Sequence, residues 1–86
     1  MPEVSRFFGI VIRMYFDDHS PPHFHARYSG TESLFAIDPI REIRGDLNRR
    51  AASMVIEWAA LHQHELRHNW ERLHTGQPLL KIDPLR

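Results

Sequence analysis

The chain reads as an α+β domain: a small, mostly antiparallel sheet with one long helix packed across it, in the order ββββαβ. Three observations predict this. Residues 6–16 alternate along the chain with a period of two. Breaks at Ser29-Gly30 and at Pro39 divide the next stretch into pieces of strand length. From Leu47 to Leu73, apolar residues recur instead at three- and four-residue steps, the period of a helix with one buried stripe. Eighty-six residues (1–86) make one domain. A chain of this size buries only about 60–65% of its unfolded surface, so its core must be small.

In RFFGIVIRMYF (6–16), Phe8, Ile10, Ile12, Met14 and Phe16 fall on one face, with Phe7, Gly9, Val11, Arg13 and Tyr15 on the other. This predicts a single first strand covered partly on both sides. Asp17 to Pro22 must be a loop, because neither proline can donate a ladder bond and Pro22 holds Pro21 extended. His23 to Tyr28 is the second strand, with His23, His25 and Arg27 on one face and Phe24, Ala26 and Tyr28 on the other. Ser33 to Asp38 and Ile40 to Arg44 follow as the third and fourth, joined by short turns into a meander. Asp46 is placed to cap the helix, and Thr75-Gly76-Gln77-Pro78 to end it. Leu79 to Asp83 then returns as a last strand.

Bulk properties narrow the function. Eleven basic residues balance eleven acidic ones, which argues against a dedicated nucleic-acid binder and leaves a local basic patch open. With no cysteine there is neither a disulfide framework nor a thiolate site. No apolar run is long enough to span a bilayer, and the N-terminus lacks a signal-peptide layout, so a cytoplasmic protein away from membranes is expected.

Chemistry concentrates in Asp17-Asp18-His19-Ser20-Pro21-Pro22-His23-Phe24-His25-Ala26-Arg27-Tyr28, which holds three of the seven histidines. His23 and His25, two apart on one strand face, can present two imidazoles to a divalent metal such as zinc, with His19 or Asp18 as a third ligand. The same pair can instead divide the general acid and base roles without a cofactor, Arg27 stabilising a phosphate anion beside them. A third reading is structural: histidines at a loop–strand junction hydrogen-bond the loop.

Three further groups compete. His64-Glu65-Leu66-Arg67-His68 spells the HExxH of zinc metalloproteases, with His74 six residues on. Glu71 stands where that motif has the glycine that turns the chain, so the helix can run on and aim His74 elsewhere. His62, Glu65 and Asn69 fall on or beside the buried helical stripe and each needs a partner, from the sheet or from a ligand site that they help to complete. Arg41, Arg44, Arg49 and Arg50 flank the junction between the last hairpin and the helix, where a phosphate backbone could dock.

The segments SRFFGIVIRMYFDDHSPPHFHARY (5–28), GDL (45–47), VIEWAALH (55–62), Glu65-Leu66, Asn69-Trp70 and GQPLLKIDPL (76–85) resemble a family of short bacterial proteins called domain of unknown function 4160. The resemblance covers nearly the whole chain. Genes of this kind commonly neighbour a second small family, domain of unknown function 2442. The pairing implies a toxin–antitoxin module in which this chain is the toxin and a neighbouring antitoxin its partner. The family pattern asks for no histidine at positions 64 and 68, which turns attention to His19, His23, His25 and His62. The expectation is thus a cytoplasmic toxin acting on nucleic acid by histidine acid–base chemistry, with no metal. The alternative is a metal-binding or partner-binding module built on His19, His23 and His25, with a homo-oligomer compatible with either. A small protease is the minor reading.

Overall fold

The computed structural model describes residues 2–86. Its sheet has five strands in chain order, β1 Glu3–Phe7, β2 Ile10–Arg13, β3 His23–Tyr28, β4 Thr31–Ile37 and β5 Ile40–Gly45, every neighbouring pair antiparallel. Two helices follow, α1 Arg49–Leu61 and α2 Gln63–His74. The α+β class and the meander are as expected, and β3 has the bounds that the alternation gave.

The first strand is where the expectation fails. Phe8 and Gly9 both take positive φ, 50° and 82°, and fold residues 6–16 into a hairpin that pairs Phe7 with Ile10. Left-handed backbone at both central residues is the turn that suits the twist of a two-residue hairpin. The turn puts Phe7 on the core face and leaves Phe8 61% exposed; Phe16, beyond the end of β2, is 76% exposed. Unbroken apolar character hid the turn, and Gly9 was its only mark.

Directly opposed residues share a face of a sheet, so the register defines two surfaces. The inner one carries Phe7, Ile10, Ile12, Phe24, Ala26 and Phe35, all buried. Across it lies α1, whose buried Ala51, Val55, Trp58 and Ala59 complete the core. Trp58 meets Phe7 and Phe24 at ring separations of 5.4 and 5.8 Å. The β5–α1 junction is close-packed: a methyl at Gly45, φ +125°, would fall 2.4 Å from the Glu32 carbonyl oxygen and the Ser33 Cα. Only glycine fits there, which explains the first residue of GDL. Buried Leu47 explains the last, its N–H donating to Ser33 Oγ at 3.0 Å.

Two helices stand where one was expected. The N-cap is Asn48, not Asp46, its side chain accepting from the Ala51 N–H. At His62 the backbone leaves helical values (φ −123°, ψ 26°), ending α1 and starting α2. No glycine or proline marks this break. The bend lets α2 run past the end of the sheet, where Gln63 donates to the Ile37 carbonyl at 2.7 Å. Residues 79–83 form no strand. They are held by isolated contacts, Ile82 N–H to Val4 O at 2.8 Å, Trp58 Nε1–H to Asp83 O at 2.8 Å and a pair of bonds between Leu80 and Asn69. Val4 sits at the β1 irregularity, between Glu3 and Ser5, which interrupts the edge a further strand would need. No helix among the described residues is long and apolar enough to cross a membrane.

Candidate metal centre

β3 presents His23 and His25 on the outer face of the sheet, and the β2–β3 loop folds Asp18 back over them. His25 Nε2 lies 3.0 Å and His23 Nε2 3.4 Å from the same oxygen, Asp18 Oδ2. The three form a group whose potential ligand atoms lie within 4.8 Å of one another. Two ligands about 2.0–2.1 Å from a tetrahedral ion stand about 3.3 Å apart, so the spacing already suits one. All three side chains are largely shielded from water, with exposures of 9, 15 and 16% for His23, His25 and Asp18.

The other ring nitrogens decide what the cluster offers. His23 Nδ1 is 2.8 Å from the Pro21 carbonyl oxygen, and His25 Nδ1 is 2.8 Å from Glu32 Oε2. Both partners only accept, so each Nδ1 carries its proton and, in the neutral ring, each Nε2 presents a lone pair. With both rings neutral, two imidazole lone pairs and a carboxylate oxygen converge with no donor among them; with His25 protonated, its Nε2–H donates to Asp18 Oδ2 at 3.0 Å. A shared cation relieves the neutral arrangement, and a backbone carbonyl or carboxylate behind each histidine is the support that metal-bound histidines use.

Glu32 reaches the site through strand pairing. The Ser29-Gly30 turn sets Tyr28 opposite Thr31 and Arg27 opposite Glu32, which places Glu32 diagonally across from His25. Its other oxygen is 3.7 Å from the Arg27 guanidinium. Tyr15 closes the side of the site, edge-on to His25 at 4.7 Å.

From α2 come Trp70, 5.5 Å from the His23 ring, and His74. His74 Nδ1 is 2.8 Å from the Trp70 carbonyl oxygen and Nε2 3.1 Å from that of Asp18. These two carbonyls, Trp70 first, hold its pKa above the ordinary histidine value.

The remaining candidates lie elsewhere. His19 is exposed and outside the group. His62 Nδ1 pairs with Glu65 Oε1, and Asn69, fully buried, exchanges bonds of 2.9 and 3.0 Å with the Leu80 peptide. Of this helical polar group, Asn69 thus anchors the C-terminal segment while His62 and Glu65 pair with each other, and none of the three bonds the histidine strand. His64 and His68 are both exposed. Arg41 and Arg44 lie on β5 on the histidine face, whereas Arg49 and Arg50 open α1 on the opposite side. Arg50 borders a groove of about 400 Å³ with Phe8, Tyr28 and Met54.

A family model described as Domain of unknown function (DUF4160) matches residues 9–71. The chain belongs to that family. The match starts at Gly9 of the hairpin turn and takes in all three members of the cluster, Glu32 and most of α2, so the centre lies inside the DUF4160 region. No curated protein and no solved structure matches the chain significantly.

Proposed function

We propose that this DUF4160 chain binds one divalent transition-metal ion, zinc foremost, through Asp18 Oδ2 and the Nε2 atoms of His23 and His25, as a small hydrolytic centre. One observation carries the reading: both Nε2 atoms face one carboxylate oxygen while each Nδ1 is committed to a separate acceptor. In the neutral rings both Nδ1 protons are committed to acceptors, which leaves the Nε2 lone pairs turned towards Asp18 as ligand atoms for an ion. An ion held by three protein ligands keeps a position for water and substrate and supplies Lewis-acid activation. In a toxin–antitoxin pair, this chemistry is what the antitoxin would restrain.

The test is elemental analysis and calorimetric titration of protein made without a histidine tag. One zinc per chain is expected. Asp18→Asn or His23→Ala should lose it, and zinc-loaded protein should cleave bis(4-nitrophenyl) phosphate in proportion to its metal content. Folded protein that takes up no zinc, nickel, iron or manganese would reduce the cluster to a clasp for the loop. Arrest of growth on expression alone, relieved by His23→Ala, is the expected cellular outcome.

A further inference from the structure

We infer that the outer face of the sheet docks single-stranded nucleic acid across the metal centre. As the identity of a substrate this rests on the metal reading, but as a binding surface it uses different residues, so the two can fail separately.

The register sets out the face. One row crosses the strands as Glu3, Arg13, His25, Leu34 and Arg44. Beside it run His23, Ala36 and Arg41, and on the other side Arg6, Val11, Arg27 and Glu32. Five of the eleven basic residues therefore share the surface with both histidines. Its two glutamates are already matched, Glu3 to Arg6 at 2.8 Å and Glu32 to His25 and Arg27. Arg13, Arg41 and Arg44 have no ion-pair partner among the described residues. Glu57 lies on α1, which packs across the inner face. Asp18, folded over the histidines, is the carboxylate of the centre itself. Zero net charge thus conceals a strand face with five arginines and two glutamates.

Position and shape add to charge. Arg13 and Arg44 are separated by three strand spacings, about 14 Å, with His25 between them. Leu34 and Ala36 give the interval a low floor. Two residues before Asp18, at the start of the loop that covers the centre, Phe16 is 76% exposed. Guanidinium groups that follow a phosphate backbone, with an aromatic ring for a base, are the components of single-strand sites. A duplex hides its base faces, and this face offers no helix to enter a groove.

The decisive measurement is fluorescence anisotropy with a fluorescein-labelled twelve-nucleotide single strand, titrated across a range of salt, with zinc and with EDTA. Binding should weaken with salt by a log–log slope of about −0.7 per neutralised phosphate, and the matching duplex should compete poorly. R13A/R41A/R44A should flatten the slope by about two units while zinc uptake is unchanged. The corresponding triple lysine variant should retain it, which separates lost charge from lost fold. Phe16→Ala should weaken binding about five- to a hundredfold, as loss of one stacking partner does. Binding unaffected by the triple alanine variant overturns the inference. So does a wild-type protein that ignores the oligonucleotide, even if it adheres to phosphatidylserine vesicles. If wild-type protein binds no zinc yet shows the expected salt and arginine dependence, the surface stands and only the metal reading falls.

Discussion

On α2, His64, Glu65 and His68 lie exposed, and Glu65 turns back to pair with His62. On β3, His23 and His25 are sunk into the outer face, with Asp18 folded over them and an acceptor behind each ring. Both regions carry two histidines and a carboxylate close in sequence. They differ in what surrounds the rings. A lone helix surface supplies no second element to orient an imidazole, whereas β3 has β4 beside it, a loop above it and α2 at its end. Convergence is made by neighbouring elements rather than by spacing along the chain.

The largest effect expected from this contrast is on zinc affinity. His25→Ala should weaken binding by more than about a hundredfold, because it removes one of only three protein ligands. His64→Ala should leave calorimetric affinity within about twofold. Comparable losses in the two variants would erase the distinction between the regions. The next effect isolates the supporting shell. Glu32→Gln keeps the shape and a hydrogen-bond acceptor for His25 Nδ1 but removes the charge behind the ring, and should cost about ten- to a hundredfold in zinc affinity with the fold intact.

The ligand set was legible in part and its support was not. Period-two alternation put His23 and His25 on one face, but the third ligand was left between His19 and Asp18, and the metal alternative was built on His19, which lies outside the group. Glu32 stands seven residues from His25, and its place follows only once the Ser29-Gly30 turn fixes the register. His74 meets Asp18 across fifty-six residues, a contact that no local pattern carries. Apolar periodicity continues through residue 62, so nothing announced the bend that brings α2 to the loop. The meander was readable because Pro39 and the Ser29-Gly30 pair interrupt it. The β1–β2 hairpin was not, because its turn contains a phenylalanine.

Stability should divide α2 as metal affinity divides the histidines. Asn69→Ala strips both partners from the Leu80 peptide and should cost about 1–3 kcal/mol. At roughly 4–8 °C per kcal/mol for a domain of this size, thermal denaturation resolves it. Glu65→Ala, on the exposed side, should stay within about 0.5 kcal/mol. Equal effects would mean that the C-terminal segment does not depend on Asn69.

The smallest expected effect concerns the point where α2 touches the loop. His74 donates from both ring nitrogens to carbonyl oxygens, which only the imidazolium can do, and the Trp70 and Asp18 carbonyls accordingly raise its pKa. A group whose pKa is higher in the folded chain binds more protons folded than unfolded, so its stabilisation falls as pH rises. That stabilisation is complete below the unfolded value of about 6.5 and disappears as pH climbs through the raised folded value. With EDTA present, so that zinc adds no pH dependence, wild-type protein should melt slightly above His74→Gln at pH 5.5. The two melting temperatures should converge towards pH 8.5. A difference for His74→Gln that does not change with pH would mean that α2 holds the Asp18 loop through the Trp70 contact with His23 alone.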